Sequence, residues 1–314
     1  IETGLIEIKD DFKIYWSNSP IAKLQKGRDK YLTKDALEKY SPKFLNMLEN
    51  IQDDQLEGLH LLYTQFRTLE GIGIFKLVLE SNGFVQFKIK NVTGTWKLDI
   101  EPEDMEKPKF ALYTGTETPE EKEILRNVFN GDWEFLPVQL AKQLESLSNN
   151  NMMGEIIKLL MITASGAEGI SLKNVRFVHI TEPYWHPVRI QQVIGRARRI
   201  CSHQNLPKEL QTVKVFLYLM EFTKEQVEND EAVELRLKDK SRIDPKKVLT
   251  SDEALYEISN MKKELTTKLL KSVKESAIDC VIHSGKDDPE SLQCFTFGQV
   301  DSNNFAYVPN IEQE

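Results

Sequence analysis

Four arginines, Arg189, Arg196, Arg198 and Arg199, fall in one short stretch with no acidic residue among them. A guanidinium stays protonated and offers two parallel donors, so such a cluster suits anionic oxygens and the charge that develops in phosphoryl transfer. The core of the stretch, Gln192-Val193-Ile194-Gly195-Arg196-Ala197-Arg198-Arg199, follows Pro187, a residue favoured at the first position of a helix. On a helix from Val188 to Ile200, the side chains of Ile190, Val193, Ile194, Ala197 and Ile200 share one face. Arg189, Gln192, Arg196 and Arg199 share the adjacent one. The pattern predicts a rod anchored on one side and cationic on the other. Gly195 costs ~1 kcal/mol relative to alanine inside a helix, which implies that a phosphate or a facing domain approaches its backbone. A solvated arginine face is the plain alternative for this octapeptide alone.

A second motif lies upstream. In Ile162-Thr163-Ala164-Ser165-Gly166-Ala167-Glu168-Gly169-Ile170-Ser171-Leu172 an apolar strand runs into a turn with two glycines and small hydroxyl residues. Glycine permits tight backbone geometry, and exposed N–H groups and hydroxyls at a strand end bind the phosphates of a nucleotide or a nucleic-acid backbone. A Gly-x-x-Gly turn alone is weak evidence. The order of strand, glycine turn, strand, aromatic loop Glu182 to Pro187 and arginine helix is far more specific.

The elements that must position these residues follow a regular rhythm. Leu59 to Gln65, Phe110 to Thr114, Leu159 to Thr163, Val175 to Thr181 and Val213 to Leu219 are short apolar runs, as strands buried on both faces require. Ile72 to Asn82, Pro119 to Asn130, Val138 to Leu147 and Val188 to Ile200 carry helical periodicity between them. The fold class is therefore α/β, a parallel sheet flanked by helices. Val85 to Ile89 and Thr95 to Ile100 alternate around Val92-Thr93-Gly94 and predict a β-hairpin inserted at about 84–108. Residues 1–40 are read as a linker or extension, 41–220 as the main domain, and 221–314 as a largely helical C-terminal extension. In the last, Thr250 and Glu253 form a capping-box pattern ahead of an apolar stripe of Leu255, Ile258, Met261, Leu265, Leu269 and Val273. That stripe should buttress the core, with a protein partner as the alternative.

Composition narrows the function. A net charge of -8 argues against coating nucleic acid by bulk electrostatics, so any such contact is local. No apolar run approaches the ~20 residues of a membrane span. Cys201, Cys280 and Cys294 are too few and too far apart for a disulfide framework, which points to a reducing intracellular compartment, nucleus or cytoplasm. His179 and His186 lack partners at ligand spacing, and no metal site is expected. The first residue is Ile1, so the chain reads as an excised piece of a longer protein.

The two motifs resemble motifs V and VI of superfamily 2 helicases, whose arginine-finger motif is Gln-x-x-Gly-Arg-x-x-Arg. Ser41 to Asn50 with Leu59 to Phe66 is similar to the entry helix and motif IV strand. Ala111-Leu112-Tyr113-Thr114-Gly115 is similar to a strand-end Thr-Gly that touches the tracking strand. The resemblance covers roughly Ser41 to Met220 and implies a RecA-like second motor domain. It further implies that Arg196 and Arg199 reach the phosphates of ATP, while Gln192, Gly169, Glu168 and Gly195 contact nucleotide or order the fingers. Thr163, Ser165, Gly166, Thr114, Gly115 and Gln65 would line the nucleic-acid track. The aromatic loop resembles the Swi/Snf branch, although Arg198 replaces that branch's usual histidine. The hairpin and tail resemble helicases of nucleocytoplasmic large DNA viruses, relatives of the poxvirus nucleoside triphosphatases, which would place the protein in host cytoplasm or virion. Neither Gly-x-x-x-x-Gly-Lys-Ser/Thr nor a strand-ending Asp-Glu pair occurs. ATP and Mg2+ are therefore expected to be held by a first RecA-like domain, with DNA, or RNA, as the polymer. This reading requires the arginine pair to be free of internal carboxylates and to stand beside the open ends of the central strands. The rival is a non-catalytic helicase-like scaffold or viral transcription-factor subunit.

Overall fold

The computed structural model describes residues 20–67, 71–164, 169–228, 240–283 and 292–294. Helices α1 (Pro20–Lys26), α2 (Arg28–Tyr31), α3 (Lys34–Tyr40) and α4 (Pro42–Gln52) lead into strand β1 (Leu59–Tyr63) and helix α5 (Ile72–Ser81). Then come β2 (Val85–Gln86), β3 (Ile89–Val92), β4 (Thr95–Leu98), β5 (Lys109–Tyr113), α6 (Pro119–Asn130), α7 (Val138–Glu145), β6 (Leu159–Ile162) and β7 (Val175–Ile180). After these follow α8 (Pro187–Ala197), β8 (Lys214–Leu217), α9 (Lys224–Glu228), α10 (Ser251–Glu275) and α11 (Cys280–His283).

Six strands form one parallel sheet in the order β2-β5-β6-β1-β7-β8. All five expected strands are present, and the central β1 and β6 are buried along their whole length. Because strand side chains alternate between faces, Leu59, Leu61 and Tyr63 join one core with Phe129 of α6, Leu140 of α7 and Val193 of α8. Leu62 joins the other, with Met47, Leu48 and Ile51 of α4 and Phe75 and Val78 of α5. Leu32 and Leu37, from the stretch read as a linker, are buried in this second core. The chain leaves β1 toward α5 on one face and β7 toward α8 on the other. The carboxyl ends of these neighbouring strands thus frame a crevice of the kind in which open α/β sheets bind ligands.

Four expectations need correction. The hairpin is shorter than expected: β3 pairs only with β4, whereas Val85–Gln86 pairs parallel with β5 as the sheet's edge strand. Backbone pairing with Lys109 and Phe110 overrides the alternation that linked these residues to the hairpin. Helix α8 ends at Ala197 rather than Ile200, and Ile200 is 96% exposed. The stripe on α10 packs against the rest of the domain only in its first part, where Leu255 and Ile258 are half-buried. The capping box at Thr250 and Glu253 forms as expected, yet Leu265, Leu269 and Val273 are more than half exposed. Finally, Cys280 and Cys294 are joined by a disulfide, and the neighbouring Gln293 N–H donates to Glu275 of α10 at 3.1 Å. Among the described residues no helix is long and apolar enough to cross a membrane.

Candidate functional site

Helix α8 starts where the sequence places it. Pro187 occupies its first turn, and the His186 side chain accepts from the Val188 N–H at 3.3 Å. Fully buried Val193 and Ala197 pin one face to the sheet. The preceding aromatic loop is held by cations: the Arg189 guanidinium lies 4.8 Å from the Tyr184 ring centre, and Lys262 of α10 lies 3.7 Å from that of Trp185.

A helix that follows a parallel strand must run back along it. Arg196 is nine residues beyond Pro187, about 14 Å at ~1.5 Å per residue. The Ser202 carbonyl accepts from the Asn174 N–H at 2.9 Å, and His203 Nε2 is 2.8 Å from the Val175 carbonyl, which fixes this end beside the start of β7. The arginine pair therefore does not stand at the open carboxyl ends of the strands, and of the two conditions the helicase resemblance set, only freedom from internal carboxylates is met among the described residues. The pair stands on the flank of the sheet, and Arg199 lies beyond the helix rather than on it.

Arg199 nevertheless faces an open surface, while Arg196 is partly covered. Arg199 is exposed and donates through one guanidinium N–H to Ser171 Oγ. Arg196 is half-buried, and its Nε is buried with no hydrogen-bond partner. Among the described residues neither enters an ion pair. The Gly169-to-Leu172 loop therefore lies beside Arg199, and Gly169 sits at φ +77°, where only glycine is relaxed. A Cβ added at Gly169 or Gly195 would meet nothing within 4 Å. The loop is anchored by Asn130 at the end of α6, whose Nδ2 donates to the Ser171 carbonyl at 3.1 Å. Its Oδ1 accepts from the Lys173 N–H at 3.0 Å. Gln192 is exposed on the same helix, while Ser165, Gly166 and Glu168 lie outside the described residues.

At the carboxyl ends of the strands, register creates a second feature. Tyr113, Ile162, Tyr63 and Ile180 are partners across β5, β6, β1 and β7, so the residues after them, Thr114, Thr163, Thr64 and Thr181, form a level row. All four are buried. The Thr114 hydroxyl and N–H both donate to Glu117, the latter at 2.7 Å. The Thr64 hydroxyl donates to Glu182 at 2.9 Å, and Thr181 Oγ1 has no partner. Gly115 is exposed and Gln65 half-exposed beside this row. The Glu182 carboxyl also accepts from the Gln65 N–H, and burial raises its pKa. Lys43 donates to the Thr181 carbonyl at 3.0 Å and pairs with Asp252, which accepts from the Met220 N–H at 3.0 Å. This cluster ties α4 and α10 to the sheet.

Of the expected site residues, Arg199 meets the loop that follows Gly169 through Ser171, and Thr114, Gly115, Thr163 and Gln65 lie along one edge. Sequence reading missed Ser171, Asn130, Glu117, Glu182 and Lys43. Each acts through a long-range or backbone contact, and the sequence signals were only that Ser171 falls inside the glycine motif, Glu182 opens the aromatic loop and Lys43 lies in the entry helix.

Residues 120–201 match the helicase conserved C-terminal domain. A protein of Acanthamoeba polyphaga mimivirus named as an ATP-dependent RNA helicase is 33% identical over 191 residues, covering 61% of this chain and 28% of that protein. The termination factor NPH-I homolog of African swine fever virus is 33% identical over 211 residues, 60% of this chain and 27% of that one. The chain thus spans about a quarter of the length of these curated relatives. The C-terminal part of the Fun30 ATPase domain aligns at 15% identity and a TM-score of 0.39, covering 85% of this chain and 69% of that one.

Proposed function

We propose, from the premise that residues 120–201 form a helicase conserved C-terminal domain, that the chain is the second motor half of an ATP-dependent nucleic-acid translocase. In this reading a first RecA-like domain holds ATP and Mg2+ and closes onto the flank that carries Arg196, Arg199 and Gly169. The open space at Gly169 and the exposed guanidinium of Arg199 fit one wall of a phosphate site, with half-buried Arg196 behind it. ATP supplies the phosphoryl group whose transfer these residues serve. Arg196 and Arg199 place positive charge beside it, Gly169 and Gly195 let the facing surface approach, and exposed Gln192 contacts the nucleotide or orders the fingers.

Nucleic acid, proposed as DNA, crosses the carboxyl edge of the sheet. Gly115 and Gln65 flank its accessible surface, Thr114 and Thr163 lie in the row beneath, and Ser165 and Gly166, which lie outside the described residues, are proposed as further backbone contacts. Such contacts address the backbone and give little sequence specificity. Two surfaces, one for nucleotide on the flank and one for polymer on the edge, allow domain closure at the first to shift the second.

The observation that carries the reading is Arg199 bonded to Ser171 of the glycine loop, with neither Arg199 nor Arg196 paired to a carboxylate among the described residues. Its test is nucleic-acid-stimulated ATP hydrolysis by the complete protein. Arg196→Ala and Arg199→Ala should each lower kcat by ~10³-fold or more. An unchanged rate would favour the non-catalytic scaffold.

A further inference from the structure

We infer that Ser171 is a positioning residue for the Arg199 finger, and that Asn130 holds Ser171 in place for that task. The inference rests on the proposed role of Arg199. Arg199 stands past the end of α8, where no helical backbone fixes its direction, and a long exposed side chain there samples many rotamers. The hydroxyl of Ser171 is the acceptor that aims it.

A serine on a free loop would be a poor guide, but this loop is clamped. Asn130 is 8% exposed and is the last residue of α6. It grips the chain on both sides of Leu172, through the Ser171 carbonyl at 3.1 Å and the Lys173 N–H at 3.0 Å. Lys173 adds an ion pair with Asp132 at 2.7 Å. Leu172, between the clamped residues, is 1% exposed. The Ser171 hydroxyl therefore has a fixed origin on the sheet, and the guanidinium is held by one N–H while its others stay free for an anion. A hydroxyl suits this better than a carboxylate, which would neutralise the charge that the finger must deliver.

The experiment is a double-mutant cycle on nucleic-acid-stimulated ATP hydrolysis by the complete protein, with Ser171→Ala, Ser171→Thr, Arg199→Ala and Ser171→Ala/Arg199→Ala. Losing a hydrogen bond to a charged group should lower kcat by about ten-fold in Ser171→Ala, with KM for ATP within about two-fold. Ser171→Thr, which keeps the hydroxyl, should restore most of the rate. Ser171→Ala should add nothing in the Arg199→Ala background, because it acts only through that side chain. Full and independent losses from the two substitutions, or a Ser171→Ala rate equal to wild type while Arg199→Ala is inactive, would overturn the positioning role alone. An active Arg199→Ala enzyme would overturn the proposed function itself. Equal urea midpoints for wild type and Ser171→Ala establish that the variant folds.

Discussion

His179 Nε2 lies 2.9 Å from His60 Nδ1, with both rings fully buried between neighbouring strands. Their protonation follows from what surrounds them. His60 Nε2 faces the Leu56 carbonyl at 3.2 Å, which can only accept, so it carries the proton and Nδ1 accepts from His179. His179 Nδ1 must then accept from the Tyr218 hydroxyl at 2.8 Å, and that oxygen accepts from Asn50 at 3.0 Å. One sense of proton donation runs from α4 through β8 and β7 to β1, with both imidazoles neutral.

This chain of bonds predicts acid sensitivity. Burial holds His60 well below the usual histidine range and brings His179 down to about 3. The unfolded chain, with histidines near ~6.5, binds more protons below that pH, so stability is full above ~6.5 and is lost as pH falls. His179 alone should cost roughly 2 kcal/mol between pH 6.5 and pH 5. Urea denaturation across that range checks it, and the double substitution His60→Phe/His179→Phe should flatten the slope. A wild-type midpoint that does not move would contradict the neutral assignment.

Gly195 gives a prediction with two signs. It lies inside α8 with open space around it, so Gly195→Ala should stabilise the chain by up to ~1 kcal/mol in denaturation. In the complete protein the same methyl would meet the facing domain and should lower ATP turnover several-fold. A stabilised protein with unchanged turnover would remove the reason given for the glycine.

The hairpin turn is strained at one residue. Thr93 and Gly94 have φ of +50° and +82°, the pattern of a two-residue turn that favours Asn-Gly. A β-branched residue is costly there, and Thr93→Asn should raise stability by about 1 kcal/mol, read as a higher melting temperature. A lower one would show that the Thr93 hydroxyl, which donates to the Val92 carbonyl at 2.8 Å, outweighs the strain.

What could be read from the sequence was what is local. Helix α6 was legible at both ends because Thr118 and Glu121 form a capping box and Gly131 takes the left-handed cap. The central strands were legible because burial on both faces leaves few polar positions: β6 has none, and β1 carries one histidine. The end of α8 was not. Ile200 continues the apolar spacing, but the chain turns away at Arg198 because Ser202 must meet Asn174. Val85–Gln86 alternates like a hairpin arm and pairs elsewhere, since register depends on a partner that sequence order does not reveal. The site divided in the same way: arginine and glycine announce phosphate chemistry by type, whereas Ser171 and Asn130 matter only through where the fold puts them.

The central claim, that the arginine pair serves phosphoryl transfer, is tested most directly by single-turnover hydrolysis of ATP in the complete protein carrying Arg196→Lys/Arg199→Lys, with nucleic acid saturating. Lysine keeps the charge and loses the two-pronged donor geometry. The account predicts ATP bound with near wild-type affinity and cleaved at least ~100-fold more slowly. Cleavage at the wild-type rate would contradict it.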